Sequence, residues 1–308
     1  MPRTSGRSLL NRGDRGKIRG TISGFDQTIL STLPLPFGLR LIRQLNFPRK
    51  LGLCERLFAK TLEQHNVTWV STAAAIPWKL DLRNATHRWI VYGKYEGAPF
   101  LDWARRFLTP DGIVVDSGAN IGQMLLYLAQ WVPQGRVLAI EPGRHQANWL
   151  QECLDANPQL PVELCRLALG SARQQAYLKE VGAPDRHGSW SQISDLHGEP
   201  INVVPLTELL RERDIEHVDL WKLDVEGSEI PALEGAEWYL SERRIRSLYI
   251  ELRGDNGRAI RDFLGRFGYD CRLFNRTGSL YSPDDLPEES NGLFMRRANT
   301  HVSQGYSS

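Results

Sequence analysis

The run VVDSGANIGQ holds the residues best suited to chemistry: Asp116 closes an apolar stretch, and Gly118, Asn120 and Gly122 follow closely. A carboxylate at a strand end, before a turn kept open by small residues, can lie against a bound cation. Gly118 would let the backbone turn sharply and approach a ligand, and Gly122 would let the following helix pack closely. A second carboxylate, Glu141, returns at the end of the next apolar run. Its separation from the loop suits a ribose diol held at the carboxyl ends of adjacent strands. Glycines after a strand are common in α/β proteins, so the reading rests on the combination. The loop is GxxxG, whereas a pyrophosphate at a helix terminus needs GxGxxG. An adenosyl sulfonium carries no phosphate, and Asp116 would favour its cationic end. The pattern points to S-adenosylmethionine rather than NAD.

A second group is Lys222, Asp224 and Glu226, with Glu251 further on. If the strand runs that far, alternation puts the first three on one face. Charges in an apolar block need partners, so an ion pair from Lys222 to Asp224 or Glu226 is one reading. The other sets the carboxylates at the sheet's carboxyl edge, beside the cofactor loop. Methyl transfer is an in-line displacement, which leaves placement and proton removal to the protein. Asp224 is the first candidate to orient or deprotonate an acceptor and Glu251 the second. Lys222 would orient one of them or stabilise developing oxygen charge. Glu226 and Glu229 fit better as supports of the turn and the following helix.

Candidate acceptor contacts are more scattered. Arg253 offers a guanidinium fork to an acidic or oxygen-rich molecule. Trp190, within GAPDRHGSWSQISD, would stack on a sugar face or simply anchor an exposed connector. Trp89, Tyr92, Tyr95 and Glu96 are candidates for an opposing wall. His87 and His145 belong to no metal-ligand spacing, so no metal is expected.

These residues need a scaffold, and the hydrophobic pattern supplies one. GIVVD (Gly112 to Asp116), RVLAIE (Arg136 to Glu141), VELCRLAL, VDLWKLDV (Val218 to Val225), IRSLYIEL (Ile245 to Leu252) and YDCRLF read as strands. Helical stretches separate them: QMLLYLAQWV, Ala147 to Leu154, IPALEGAEWYLSE and Ala259 to Phe267. Continuous apolar strands alternating with helices imply a parallel sheet covered on both faces. NGLFMRR would add an edge strand, and an antiparallel one would separate this fold from an ordinary dinucleotide fold. Four parts are expected: a basic flexible arm over 1–20, an extension and cover over 21–107, a catalytic domain over 108–298 and a flexible tail over 299–308.

In the extension, Pro48 and Gly52 divide LRLIRQLNFPRKLGLCERLFAKTL into two helical candidates. Their apolar stripes fit packing against the main domain; Arg40, Arg43, Arg56 and Lys60 leave membrane-surface binding as the alternative. Extended candidates follow near VTWVST and WKLDL, then a cover from His87 to Glu96.

The 308 residues are 41% hydrophobic and 24% charged, with a net charge of +2, as in an ordinary soluble enzyme. That balance makes no case for a specific nucleic-acid partner, although Arg3, Arg7, Arg12, Arg15, Lys17 and Arg19 crowd the start. No run approaches the roughly 20 apolar residues of a membrane span, and no secretory signal opens the chain. Cys54, Cys153, Cys165 and Cys271 lack ligand spacing and read as free thiols in a reducing, cytoplasmic setting.

The blocks VVDSGANIGQ, AIEP, ALGS, DLWKLDVEGSEIPALEGA and YIEL together resemble the FkbM family of methyltransferases, over roughly Trp78 to Arg296. KLDVEGSE is the most distinctive of them. The resemblance implies a class I methyltransferase fold, a doubly wound, mostly parallel seven-stranded sheet, and S-adenosylmethionine-dependent O-methylation of a sugar or glycosylated small molecule. It implies that Asp116, Gly118, Asn120 and Gly122 surround the methionine portion and that Glu141 takes the ribose hydroxyls. Ala168, Leu169 and Gly170 would approach the adenine, where CRLALGS offers no carboxylate. Arg253 stands where related proteins often have a histidine or another small polar group, which puts a histidine base in doubt. Methylation of another small molecule at N or O remains open, as does a noncatalytic glycan- or lipid-associated protein of the same fold.

Overall fold

The computed structural model describes residues 32–45, 47, 49–71, 76–93, 98–181, 190–194, 196–275 and 277–297. The arm expected over 1–20 and the tail expected over 299–308 lie outside these residues. The described chain begins with α1 (Phe37–Ile42), α2 (Lys50–Glu63), the strands β1 (Val67–Ser71) and β2 (Pro77–Asp81), then α3 (Ala85–Val91) and α4 (Ala98–Phe107). Alternation starts with β3 (Ile113–Ser117), α5 (Leu125–Trp131), β4 (Arg136–Ile140), α6 (Arg144–Asp155) and β5 (Val162–Cys165). Four strands interrupt it: β6 (Ala168–Leu169), β7 (Gln174–Val181), β8 (Trp190–Ser194) and β9 (Glu199–Val204). It resumes with α7 (Leu206–Arg211), β10 (Val218–Leu223), α8 (Glu229–Glu234), α9 (Glu237–Ser241), β11 (Ile245–Arg253) and α10 (Gly254–Gly265). β12 (Tyr269–Phe274), β13 (Leu280–Tyr281) and β14 (Glu289–Arg296) complete it.

The main sheet runs β13-β12-β14-β11-β10-β3-β4-β5. Strands β5, β4, β3, β10 and β11 are parallel, while β14 lies antiparallel to both β11 and β12. Apolar residues on both sides of these strands explain their continuous hydrophobic runs. Val114, Leu220 and Tyr249 face a core shared with Leu125, Leu150, Trp78 and Phe100. Val115, Leu138, Trp221 and Leu248 face the other core, filled by Leu209, Leu233, Tyr239 and Ile260. This is a class I methyltransferase fold, with its antiparallel strand inserted beside β11.

Several expectations change. Among the described residues the sheet has eight strands rather than seven, the two-residue β13 extending its edge. VELCRLAL is two strands in two sheets, because the chain turns out at Arg166, whose guanidinium donates to Glu199 Oε1 at 2.7 Å. The helix read through IPALEGAEWYLSE breaks into α8 and α9 where Ala236 leaves helical geometry. Gly52 lies inside α2 and divides nothing. β6-β9-β7-β8 forms a separate four-stranded sheet over its own small core of Ala168, Ala176, Leu178, Ile201 and Val203.

The N-terminal elements are stitched to the domain by buried and half-buried polar contacts. The Trp78 indole N–H donates to Ile121 O at 3.1 Å, the Trp149 indole N–H to Lys79 O at 2.8 Å, and Asn157 Nδ2 to Pro77 O at 2.8 Å. Buried Arg88 pairs with Glu55 and Glu63 and donates to the carbonyls of Leu82 and Arg83, joining α2 and α3 to the end of β2.

Candidate active site

Asp116 lies in β3 and Glu141 just beyond β4, so neighbouring parallel strands carry both carboxylates to the carboxyl edge of the sheet. Between them the loop turns at Gly118, with φ +75°. A Cβ on Gly118 would lie 1.8 Å from the Asp224 carbonyl oxygen, so this glycine's close approach is to the end of β10. At Gly122, φ +90°, a Cβ would press on Leu150 and Leu126 at 3.0 and 3.2 Å. Those contacts lie where the loop enters α5 and meets α6.

Glu141 closes the loop from the other side. Its Oε2 accepts the Asn120 N–H and its Oε1 the Gly143 N–H, each at 2.9 Å. Asn120 reaches this position with φ +48°, a backbone region that asparagine tolerates better than most residues. Burial pushes the Glu141 carboxyl above its usual range, against the pull of the two N–H groups and Lys222. Each oxygen has taken one hydrogen bond and retains capacity for another, so a ribose diol fits this carboxylate. A cleft of about 270 Å³ lined by Gly143, His145, Gln146, Leu178, Lys179 and Glu199 begins two residues beyond it. Ala168 is buried in the small core of the second sheet, paired with Val203.

Lys222 sits opposite Asp116 in the β10–β3 register. Its ammonium donates to Gly118 O at 2.9 Å and lies 3.3 Å from Asp116 Oδ1 and 3.4 Å from Asp224 Oδ2. Burial pushes the Asp116 carboxyl up, while Lys222 opposes that shift. β10 ends at Leu223, so the shared strand face expected for Lys222, Asp224 and Glu226 does not form. Glu226 instead enters a turn at φ +52°, and its carboxylate meets Arg253.

The remaining acids gather around that guanidinium. Arg253 donates to Glu226 Oε2 at 3.0 Å and to Glu251 Oε1 at 2.8 Å. They line a cleft of about 260 Å³ with Gln192, Gly227, Glu229 and Asn256. Desolvation and then the nearby Asp224 charge push Glu251 up to about 7, against the pull of Arg253. Glu229 Oε1 accepts the Val225 and Gly227 N–H groups, and Asn256 Nδ2 donates to its Oε2 at 2.8 Å.

Other candidates are dispersed. Tyr95 and Glu96 lie outside the described residues, and Trp190 is placed by its backbone, opposite Val181 in β8. Tyr92 is fully buried and Trp89 packs against the core, so neither forms the expected wall. His87 accepts the Asp81 N–H at Nδ1, and burial lowers it to about 4. Trp78 and Asn256 are the contributors that sequence reasoning missed. Nothing local links a hairpin tryptophan to Ile121; Asn256, a polar residue opening the helix after Arg253, was the more visible of the two.

A family model for the methyltransferase FkbM domain matches residues 116–271, just over half of the chain. The chain belongs to the FkbM methyltransferase family. Its methyl donor is accordingly S-adenosylmethionine, in keeping with the Asp116, Asn120 and Glu141 cradle. Over 165 residues it is 27% identical to Methyltransferase 1 of Beauveria bassiana, covering 46% of this chain and 62% of that protein. Over 178 residues it is 25% identical to methyltransferase sdnD of Sordaria araneosa, covering 47% and 67%. The matched region thus spans about two thirds or less of either relative. An rRNA methylase structure from Streptococcus thermophilus is similar over 66% of this chain and 95% of its own, at 16% identity and a TM-score of 0.40.

Proposed function

We propose that this FkbM-family protein transfers the methyl group of S-adenosylmethionine to a hydroxyl of a sugar or glycosylated small molecule. The observation that carries this reading is the 260 Å³ cleft in which Glu226 and Glu251 flank Arg253, with Gln192 and Asn256 beside them. It opens two residues beyond the Asp224 carbonyl on which Gly118 packs. A lining that holds both donors and acceptors suits a polyol, whose hydroxyls each donate and accept.

The cofactor supplies an electrophilic methyl carbon on a sulfonium leaving group. Glu141 would hold the ribose hydroxyls, and Asp116 with the Gly118–Gly122 loop would bound the methionine portion. Arg253 and Asn256 would orient the acceptor, and Glu251 would take the proton of the hydroxyl that receives the methyl group as the methyl–sulfur bond breaks. A carboxyl at about 7 is matched to that task near neutral pH. Asp224 lies 3.4 Å from the Lys222 ammonium, which favours an orienting role for it. The raised carboxyl of Glu251, kept up against its own contact with Arg253, favours Glu251 as the proton acceptor.

A second reading follows from the same cleft: more carboxylates than guanidinium groups line it, and an amine would be drawn to that excess. A mass-resolved acceptor screen with purified protein and labelled S-adenosylmethionine tests both. One added methyl on a sugar hydroxyl is the expected product. Methylated amines alone would replace this reading with the second, and cofactor binding with no product from any acceptor would leave a noncatalytic protein. Four free, buried cysteines support a reducing, cytoplasmic setting.

A further inference from the structure

The helices α1 and α2 bury one side and leave the other bare. Leu39, Cys54 and Leu62 are in the core, and Arg88 holds the acids Glu55 and Glu63. Gly38 of α1 faces the Phe58 ring of α2, where an added Cβ would be 3.6 Å from the ring edge. Along the same two helices and the turn after α1, Phe37 is 70% exposed, Leu41 56%, Leu45 57%, Leu53 41% and Leu57 54%. Phe37 and Leu41 in α1, like Leu53 and Leu57 in α2, are one helical turn apart and share a face, and Leu45 follows just beyond the end of α1. The exposed charges among them are Arg40, Arg49, Arg56 and Lys60, all basic. No acidic residue occurs between Asp26 and Glu55.

We propose that this face docks on an anionic phospholipid surface, with the leucines and Phe37 entering the headgroup boundary and the basic side chains meeting lipid phosphates. Large apolar side chains left in water in such a cluster mark an interaction surface, and the uniformly basic flank selects an anionic one. Apolar insertion combined with basic side chains is the composition of interfacial helices. Long Arg and Lys stems reach from the apolar boundary to the headgroups. Among the described residues no helix is long and apolar enough to cross a membrane, so the contact is peripheral.

The test is co-sedimentation of the full chain with vesicles of phosphatidylcholine alone and of phosphatidylcholine mixed with phosphatidylglycerol. Binding is expected only to the mixed vesicles, and it should weaken as salt is raised. Leu41→Ser with Leu57→Ser, and separately Arg40→Gln with Arg56→Gln and Lys60→Gln, should each lower the partition coefficient by at least about tenfold. S-adenosylmethionine affinity should be unchanged, which controls for folding. Equal binding to neutral vesicles, no binding to anionic ones, or variants that bind like the parent would overturn the proposal. So would a self-association seen by sedimentation equilibrium and abolished by the leucine variant, since the face would then cover a second copy.

Discussion

Lys222 and Asp116 face each other across adjacent parallel strands, 3.3 Å apart, with side chains only 7% and 1% exposed. The same ammonium donates to Gly118 O. One cation therefore compensates the buried carboxylate and fastens the first turn of the cofactor loop to β10. Its proximity to Asp224 extends that tie toward the acceptor side.

Removing this cation should cost stability more than chemistry at an isolated residue would suggest. Lys222→Met leaves Asp116 buried without its counter-charge, and a loss of about 3–5 kcal/mol is expected. Urea unfolding of Lys222→Met, Asp116→Asn and the double variant measures it. The double variant should lose less than the sum of the singles; strict additivity would show that the pair is not coupled.

Glu141 should reveal itself in cofactor affinity. Glu141→Gln keeps the side chain's size but sets an amide against one of the two N–H groups it now accepts. Adenosyl-ligand binding should weaken by roughly 1–3 kcal/mol, about five- to 150-fold. Titration calorimetry on the folded variant decides this, and an unchanged affinity would move the ribose elsewhere. NAD should give no heat with either protein.

The fold was most legible where both faces of a strand are buried. β3, β4, β10 and β11 read as strands because each sends apolar residues into both cores, which leaves a mainly apolar run. The four-stranded sheet was hidden for the opposite reason. β9 alternates buried and exposed positions, and Tyr177 and Lys179 turn outward from β7, so neither offers the mainly apolar run by which the other strands were read. In the site, strand ends were visible as carboxylates following apolar runs. Partnerships were not: Lys222 and Gly118 are 104 residues apart, and only the β10–β3 register brings them together.

Trp78 gives the extension a role at the cofactor loop. Its buried indole holds Ile121 O, so Trp78→Phe leaves that carbonyl unsatisfied at a cost of about 1–3 kcal/mol. Lower thermal stability should accompany faster amide exchange across Gly118–Gly122 and weaker cofactor binding. Stability lost with unchanged loop exchange would confine Trp78 to packing.

Glu251 should set the pH dependence of both stability and turnover. Its carboxyl lies near 7 in the folded protein, above the unfolded range near 4.3. Between those values the folded state binds more protons, so this group's contribution to stability falls as pH rises and is lost above about 7. Proton acceptance has the opposite sign, because only the carboxylate can act. Single-turnover methyl transfer should therefore rise with pH through about 7, and Glu251→Gln should lower it by roughly 10²–10⁴-fold with cofactor affinity retained. Asp224 helps hold the carboxyl up and Arg253 opposes it. Asp224→Asn should move the midpoint of the rate profile to lower pH, and Arg253→Gln should move it higher. A rate abolished by Asp224→Asn, with normal turnover in Glu251→Gln, would return the proton-accepting role to Asp224. A midpoint unmoved by Asp224→Asn would separate the two carboxylates electrostatically and remove the basis for assigning them to one pocket.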